Sequence, residues 1–492
     1  MIYKDICKNL SGKIVLGGMT LNAKSSETLP VYHPATMEQI GYISACNQAD
    51  IDYCTDIAEA AQKDWKKRRA QERGALVTAC GQIIKEHAKE LAQIMSYETG
   101  KAIRSESMVE LSVIADTFSY YGGLALELKG DTVPFDPNML TMTIREPYGV
   151  VGAIVPWNVP LMLMAMKAAP ALVAGNSVVL KASPEASFCL LRAAELMNQI
   201  LPKGLLNVVT GGPETGKLIV SHPKIHKVTF TGSVDSGRSV YKSAAEKLIP
   251  VTLELGGKSP LIICEDADLD KAVMSVYEGM RFTRQGQSCS ASSRLFVHEA
   301  IHDEFVAKLL AILNQKVIGD PMDEKTDIGT IISRAQYDKV SRFIKLAEDD
   351  TALKVHYGAS LPQDKRLKDG LFVRPVVVTG LKNHHEICQK EIFGPVAAVI
   401  KWSDFAQVLL DANDTEFGLA AGIWTSDITK GLKGAHELDA GFVQVNQYIV
   451  FRPSLQFGGF KNSGIGCEGS LKAMVEGFTK EKTIIVNMTK PC

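Results

Sequence analysis

An α/β fold on parallel sheets is the class this sequence predicts, and three observations predict it. Between residues 150 and 264, short apolar, β-branched runs alternate with longer stretches at helical spacing. Alternation of that kind sets parallel strands under helices on both faces. A second alternating region runs from Leu269 to about Val443. The length, 492 residues, exceeds what one hydrophobic core serves, so two or three domains are expected. Two α/β halves in series leave a cleft between them, where ligands usually bind.

In chain order, residues 50–127 read as mainly helical, with Ala-, Lys- and Glu-rich periodic segments such as 73–91. Strands are predicted at 150–155, 177–180, 205–209, 227–230 and 260–264, with helices at 186–200 and 234–248 among them. The stretch 150–166 is the most apolar, but Pro156, Trp157, Asn158 and Pro160 interrupt it. That pattern fits a buried strand, a turn and a helix better than a membrane span. The second half reads as a helix at 269–282, a strand at 293–298, a helix at 301–313, and strands at 373–378 and 396–401. Near the end, 483–488 is strand-like and pairs with another segment or another subunit.

Composition excludes several classes. Hydrophobic residues make up 46% and charged residues 22%, the balance of a globular protein. With 54 basic and 55 acidic residues the net charge is -1, which gives no global electrostatic case for nucleic acid or an anionic membrane. Residues 1–10 carry charge throughout and lack an apolar signal-peptide core. Ten cysteines without a CxxC pair fit reduced thiols and a cytoplasmic setting.

Several short segments carry chemistry. Lys227-Val-Thr-Phe-Thr231 reads as a strand and Gly232-Ser233 as the turn into a helix. A phosphate would approach the free N–H groups there, or Ser233 simply caps the helix. Gly464, Gly466 and Gly469 spell GxGxxG, but no strand precedes them, so a glycine-rich bend is predicted rather than a dinucleotide loop. Cys289 stands among small residues, Gly286-Gln-Ser-Cys-Ser-Ala-Ser292, which leave room for a substrate carbon at sulfur. Glu254, in Val251-Thr-Leu-Glu-Leu-Gly-Gly-Lys258, is a carboxylate in an apolar run; burial would raise its pKa toward that of a general base, unless Lys258 pairs with it. Asn158, between Pro156 and Pro160, suits a preorganised oxyanion donor or a self-satisfied turn. His384, His385 and Cys388 lack the spacing of a metal site, and no metal is expected.

These stretches, in this order, closely resemble the aldehyde dehydrogenase superfamily. Lys181-Ala-Ser-Pro-Glu185, Glu391-Ile-Phe-Gly-Pro395 and Phe457-Gly-Gly-Phe-Lys-Asn-Ser-Gly464 join the segments above in the match, which runs from about residue 30 to the end. The resemblance implies that Cys289 is the nucleophile, Glu254 the general base and Asn158 the oxyanion donor, with Lys167 also catalytic. It implies a cofactor site of Ile154, Val155, Pro156, Trp157, Lys181, Ser183, Glu185, Gly211, Gly216, Phe230, Thr231, Gly232, Ser233, Gly237, Leu255, Glu391 and Phe393. Val159, Met162, Met166, Ser288, Ser290, Phe451 and Phe457 would line the aldehyde channel. The expected cofactor is NAD, with NADP possible, because Pro184 stands where NAD-selective members often carry a glutamate and Glu185 follows one position later.

The implied fold has a Rossmann-type cofactor domain at 1–127 and 148–256, a catalytic domain at 257–460, and a small oligomerisation domain at 128–147 and 470–492. A homodimer or homotetramer is the implied assembly. The implied chemistry is oxidation of an aldehyde to a carboxylic acid through a cysteine thiohemiacetal and thioester. Glu254 separates this from the CoA-acylating branch, which typically lacks that base. A non-catalytic relative and a redox-independent cysteine hydrolase are the rival classes. An uncharged aromatic or aliphatic aldehyde is the first choice of substrate. The alternative is a semialdehyde whose distal carboxylate meets Arg452.

Overall fold

A computed structural model describes residues 2–448 and 450–489. Its frame is two parallel-rich sheets in series, as the alternation predicts. The first has eight strands in the order Met19–Asn22, Lys13–Leu16, Leu206–Val209, Ser177–Lys181, Val150–Ile154, Ile225–Thr231, Val251–Glu254, Gly464–Ile465. Its five central strands are parallel, and the added strands pair antiparallel. Val150–Ile154 and Ser177–Lys181 are buried along their whole length, since helices cover both faces, and so they read as apolar runs without alternation. The second sheet has seven strands, in the order Lys354–Tyr357, Val376–Thr379, Val396–Trp402, Arg294–His298, Pro260–Ile263, Ala420–Trp424, Phe442–Val445, antiparallel only at its first pair. Residues 255–259 carry the chain from one sheet to the other.

Three elements depart from the sequence reading. The helical stretch expected at 73–91 is two helices, Ala70–Glu86 and Ala88–Thr99, broken at His87 (φ −101°, ψ 15°). Neither Gly nor Pro marks the break, so periodicity runs through it. The glycine-rich bend at 464–469 includes a short strand, Gly464–Ile465, laid antiparallel on Leu253 and Glu254. The C-terminal strand is longer than expected: Thr479–Asn487 pairs with Met139–Pro147 through nine residue pairs in a separate two-stranded sheet.

The helix Pro160–Val173 begins directly after the Asn158 turn. Pro160 opens it, where a missing N–H costs nothing, but Val159 has no side-chain oxygen to cap it. Glu110 performs that task from another helix: its Oε1 accepts from the backbone N–H of Leu161 and of Met162, both at 3.0 Å. Lys101 balances the buried carboxylate at 2.5 Å. Among the described residues, no helix is long and apolar enough to cross a membrane.

Candidate active site

Strand order reverses at Val150–Ile154, whose neighbours are Ser177–Lys181 and Ile225–Thr231. In a doubly wound sheet the crevice beyond the carboxyl ends of such strands takes the ligand. A cleft of about 1140 Å³ opens there, lined by Ile154, Val155, Pro156, Trp157, Lys181, Ser183, Glu185, Gly216, Phe230, Thr231, Gly232 and Ser233. Ser233 caps the helix Val234–Ala245, its hydroxyl accepting from Ser236 N at 3.3 Å. That helix brings its positive end and free N–H groups to the cleft.

Polar groups around the cleft have capacity to spare. Lys181 Nζ reaches only the Ala182 carbonyl, at 3.0 Å, and burial lowers its pKa to about 8. Thr231 Oγ1 is buried without a partner among the described residues. Glu185 accepts from Ser183 Oγ at 2.6 Å. An underused ammonium, a helix N-terminus and open hydroxyls fit the ribose hydroxyls and phosphates of a dinucleotide. Two predicted residues stand behind the wall instead. Gly211 (φ 142°) turns the chain against Thr215, and Gly212 lines the cleft in its place. Gly237 lets its helix approach Leu255, whose side chain would lie 2.5 Å from an added Cβ.

The cleft continues into a cavity of about 670 Å³ walled by Trp157, Asn158, Leu255, Cys289, Glu391 and Phe393, with Gln336 and Lys339. Glu391 Oε1 accepts from Gly257 N at 3.0 Å. Trp157 and Phe393 meet edge to face, centroids 5.3 Å apart. Phe393 sits at φ 56°, and Gln336 Nε2 donates to its carbonyl at 2.9 Å. Gln336 and Lys339 carried no motif by which sequence could have found them.

Cys289 lies on a loop pinned from several sides. Gln287 Nε2 donates to Thr330 O (3.3 Å) and its Oε1 accepts from Ile332 N (3.0 Å). Asn158 Nδ2 donates to Gln287 O at 3.2 Å, which ties the Asn158 turn to the same loop. The paired glycines 256 and 257 now have a reason: an added Cβ would lie 2.7 Å from Glu391 Oε2 and 2.4 Å from the Cys289 carbonyl, respectively.

Glu254 ends its strand facing a tunnel of about 1290 Å³ on the other side of Cys289. Both its oxygens are buried without a hydrogen-bond partner among the described residues. Burial holds its pKa well above the usual carboxylate range, the Glu468 charge adds to this, and Lys167 opposes it. Lys258, the pairing partner considered for it, shows no bond to Glu254; its Nζ is buried without a partner. Lys167 is fully buried and pairs with Glu468 Oε1 at 2.5 Å, with Thr229 Oγ1 at 3.1 Å. Glu468 was missed in the sequence because it hides inside the glycine-rich tail.

All seven predicted substrate residues, Val159, Met162, Met166, Ser288, Ser290, Phe451 and Phe457, line the tunnel. So do Glu110, Arg281, Arg284 and Arg452. Cys289 and Asn158 border both the tunnel and the cofactor-side cavity.

A thiol set between a dinucleotide-type cleft and a second, largely apolar tunnel is the arrangement of a nicotinamide-dependent oxidoreductase. The chain belongs to the Aldehyde dehydrogenase family, whose profile matches residues 21–484. It is an NAD(P)-dependent aldehyde dehydrogenase, oxidising an aldehyde to a carboxylic acid. It is 38% identical to retinaldehyde dehydrogenase 3 of Mus musculus over 97% of this chain and 93% of that protein. Its fold is similar to the NAD+ complex of aldehyde dehydrogenase from Bacillus cereus (TM-score 0.94, 35% identity, 99% and 98% of the chains). It is equally similar to betaine aldehyde dehydrogenase from Staphylococcus aureus in complex with NAD+ (TM-score 0.94, 32% identity, 99% and 97%).

Proposed function

We propose that the aldehyde is oxidised through a thioester on Cys289, hydrolysed with Glu254 as base. The observation that carries this is the place of Cys289 at the junction of the two cavities, with the unpartnered Glu254 carboxyl on the tunnel wall. Cys289 Sγ adds to the carbonyl carbon as a thiolate, giving a thiohemiacetal. The Asn158 amide, held beside the loop, and a backbone N–H stabilise its oxyanion. NAD(P), when bound, supplies the hydride acceptor. Glu254 then takes a proton from the water that attacks the thioester, and the acid leaves with Sγ free again. Lys167 and Glu468 form a buried pair that sets the field at Glu254.

NAD is the preferred cofactor and NADP is accepted: the Glu185 carboxylate borders the cleft, but Ser183 shares it. The strands Met139–Pro147 and Thr479–Asn487 serve homo-oligomerisation, between a cofactor unit (1–127 and 148–256) and a catalytic unit (257–460), in the cytoplasm. In single-turnover mixing with NAD+ and an aldehyde, Glu254→Gln should give one burst of reduced cofactor and then stall. Cys289→Ala should give none while still binding cofactor. A burst from Cys289→Ala, or steady turnover by Glu254→Gln, would refute the assignments.

A further inference from the structure

The tunnel is lined by three arginines, and among the described residues only Arg284 has a counter-ion. Arg284 is paired with Glu106 (2.6 Å). Arg452, exposed at the tunnel mouth, donates to the Phe451 carbonyl at 3.2 Å. Arg281 borders the tunnel half-buried, and its guanidinium donates no hydrogen bond and joins no ion pair among the described residues.

Of the acidic groups near it, Glu278 and Glu106 act on it through space without a direct bond, and the others are engaged elsewhere. Glu110 belongs to Lys101 and Glu468 to Lys167, each at 2.5 Å. Glu106 belongs to Arg284, and burial pushes the Glu254 carboxyl well above the usual carboxylate range. A guanidinium without a direct partner, facing a largely apolar tunnel, is costly unless an anion visits it. The backbone is shaped to present it. Arg281 (φ 54°) and Gln285 (φ 58°) are both left-handed, flanking the turn Phe282–Arg284, and Gly286 N closes onto the Arg281 carbonyl at 2.9 Å. Gln285 Nε2 locks the loop to Gly329 O (2.8 Å) and Val373 O (3.1 Å). Left-handed non-glycine residues persist where a site over-determines them. This same loop leads to Cys289.

We infer that Arg281 determines specificity by binding a carboxylate at the far end of the aldehyde, so that the substrate class is a semialdehyde of a dicarboxylic acid. Arg452 at the mouth is the second cation on that path. The planar guanidinium takes a carboxylate through two parallel N–H donors, and the apolar wall of Val159, Met162, Phe451 and Phe457 holds the methylene chain between the two ends. This reverses the preference for uncharged aldehydes drawn from the sequence. It rests on the thioester reading only for the chemistry at the other end of the molecule.

The test compares 6-oxohexanoate with hexanal, and 4-oxobutanoate with butanal, in the wild-type enzyme with NAD+. The carboxylate-bearing member of at least one pair should have the higher kcat/KM. Arg281→Met should lower that value about 10- to 100-fold, mainly through KM, and change the neutral aldehyde less than about threefold. Arg281→Lys should restore part of the loss. Neutral aldehydes preferred in both pairs, or equal losses on charged and neutral substrates, would overturn the inference, and the wild-type ratios decide even if a variant fails to fold. Absence of any turnover would instead count against the thioester reading. Arg281 is then judged by binding, with adipate or succinate raising the Tm of wild type and not of Arg281→Met; no rise with either in wild type would overturn it.

Discussion

Cys289 is singled out by place and not by acidity. Burial raises all nine described thiols, that of Cys289 up to about 12 with Glu391 and Glu254 adding to it. What differs is that Cys289 opens to two cavities. That distinction was legible in the sequence as a cysteine among small residues, and Glu254 as a carboxylate in an apolar run. Arg281 and Glu468 were not, because their meaning lies in which charges face them across the fold. The Glu254 carboxyl titrates well above its ordinary value, so the base exists only above that raised pKa. Thioester hydrolysis should therefore climb with pH below that raised pKa, about tenfold per unit, until the carboxyl has ionised. In Glu254→Gln that slope should vanish from the hydrolytic phase while the burst keeps its own pH dependence. Stopped-flow runs from about pH 6 to about pH 10 read both, and an unchanged slope in the variant would remove Glu254 from the step. The sign for stability follows the same shift. A raised folded pKa contributes stability that is present below the unfolded value and lost as pH rises through the folded one. Glu254→Gln should accordingly unfold no more easily than wild type in alkaline buffer.

At the scale of elements, the central strands and most helices were readable because their residues obey one period from end to end. The break at His87 was not, since a polar helical residue continues the pattern while the backbone leaves it. The Glu110 cap was also hidden: a helix start with no capping residue of its own gives no hint which distant carboxylate will serve it. Gly286 shows how tightly the Cys289 loop meets its neighbour. It sits at φ 65°, and an added Cβ would lie 2.0 Å from the Gly394 carbonyl. Gly286→Ala should thus push apart the loop of Cys289 and the segment that carries Glu391 and Phe393. We expect a stability loss on the order of 1–3 kcal/mol and a fall in both kcat and cofactor affinity, read by thermal unfolding and fluorescence titration. A variant with normal cofactor affinity and kcat would show that the two segments tolerate separation.

For the whole molecule, the two-sheet frame was legible and the partnership of the final strand was left open between a segment and a subunit. Thr479–Asn487 found a segment, yet the pair it forms with Met139–Pro147 leaves Leu140, Ile485 and Val486 exposed. Two-stranded ribbons are marginal alone in water. Ile485→Lys should consequently shift the protein to a smaller assembly in light scattering while its Cys289 chemistry persists at low concentration; an unchanged mass would remove the ribbon from the interface. Lys167 and its counter-charge Glu468 are 301 positions apart. Until the ribosome has added the second, the first lacks the carboxylate it bonds in the finished fold. Closure of this buried pair therefore belongs to the last stage of synthesis, so the core around Lys167 settles only once the tail is made.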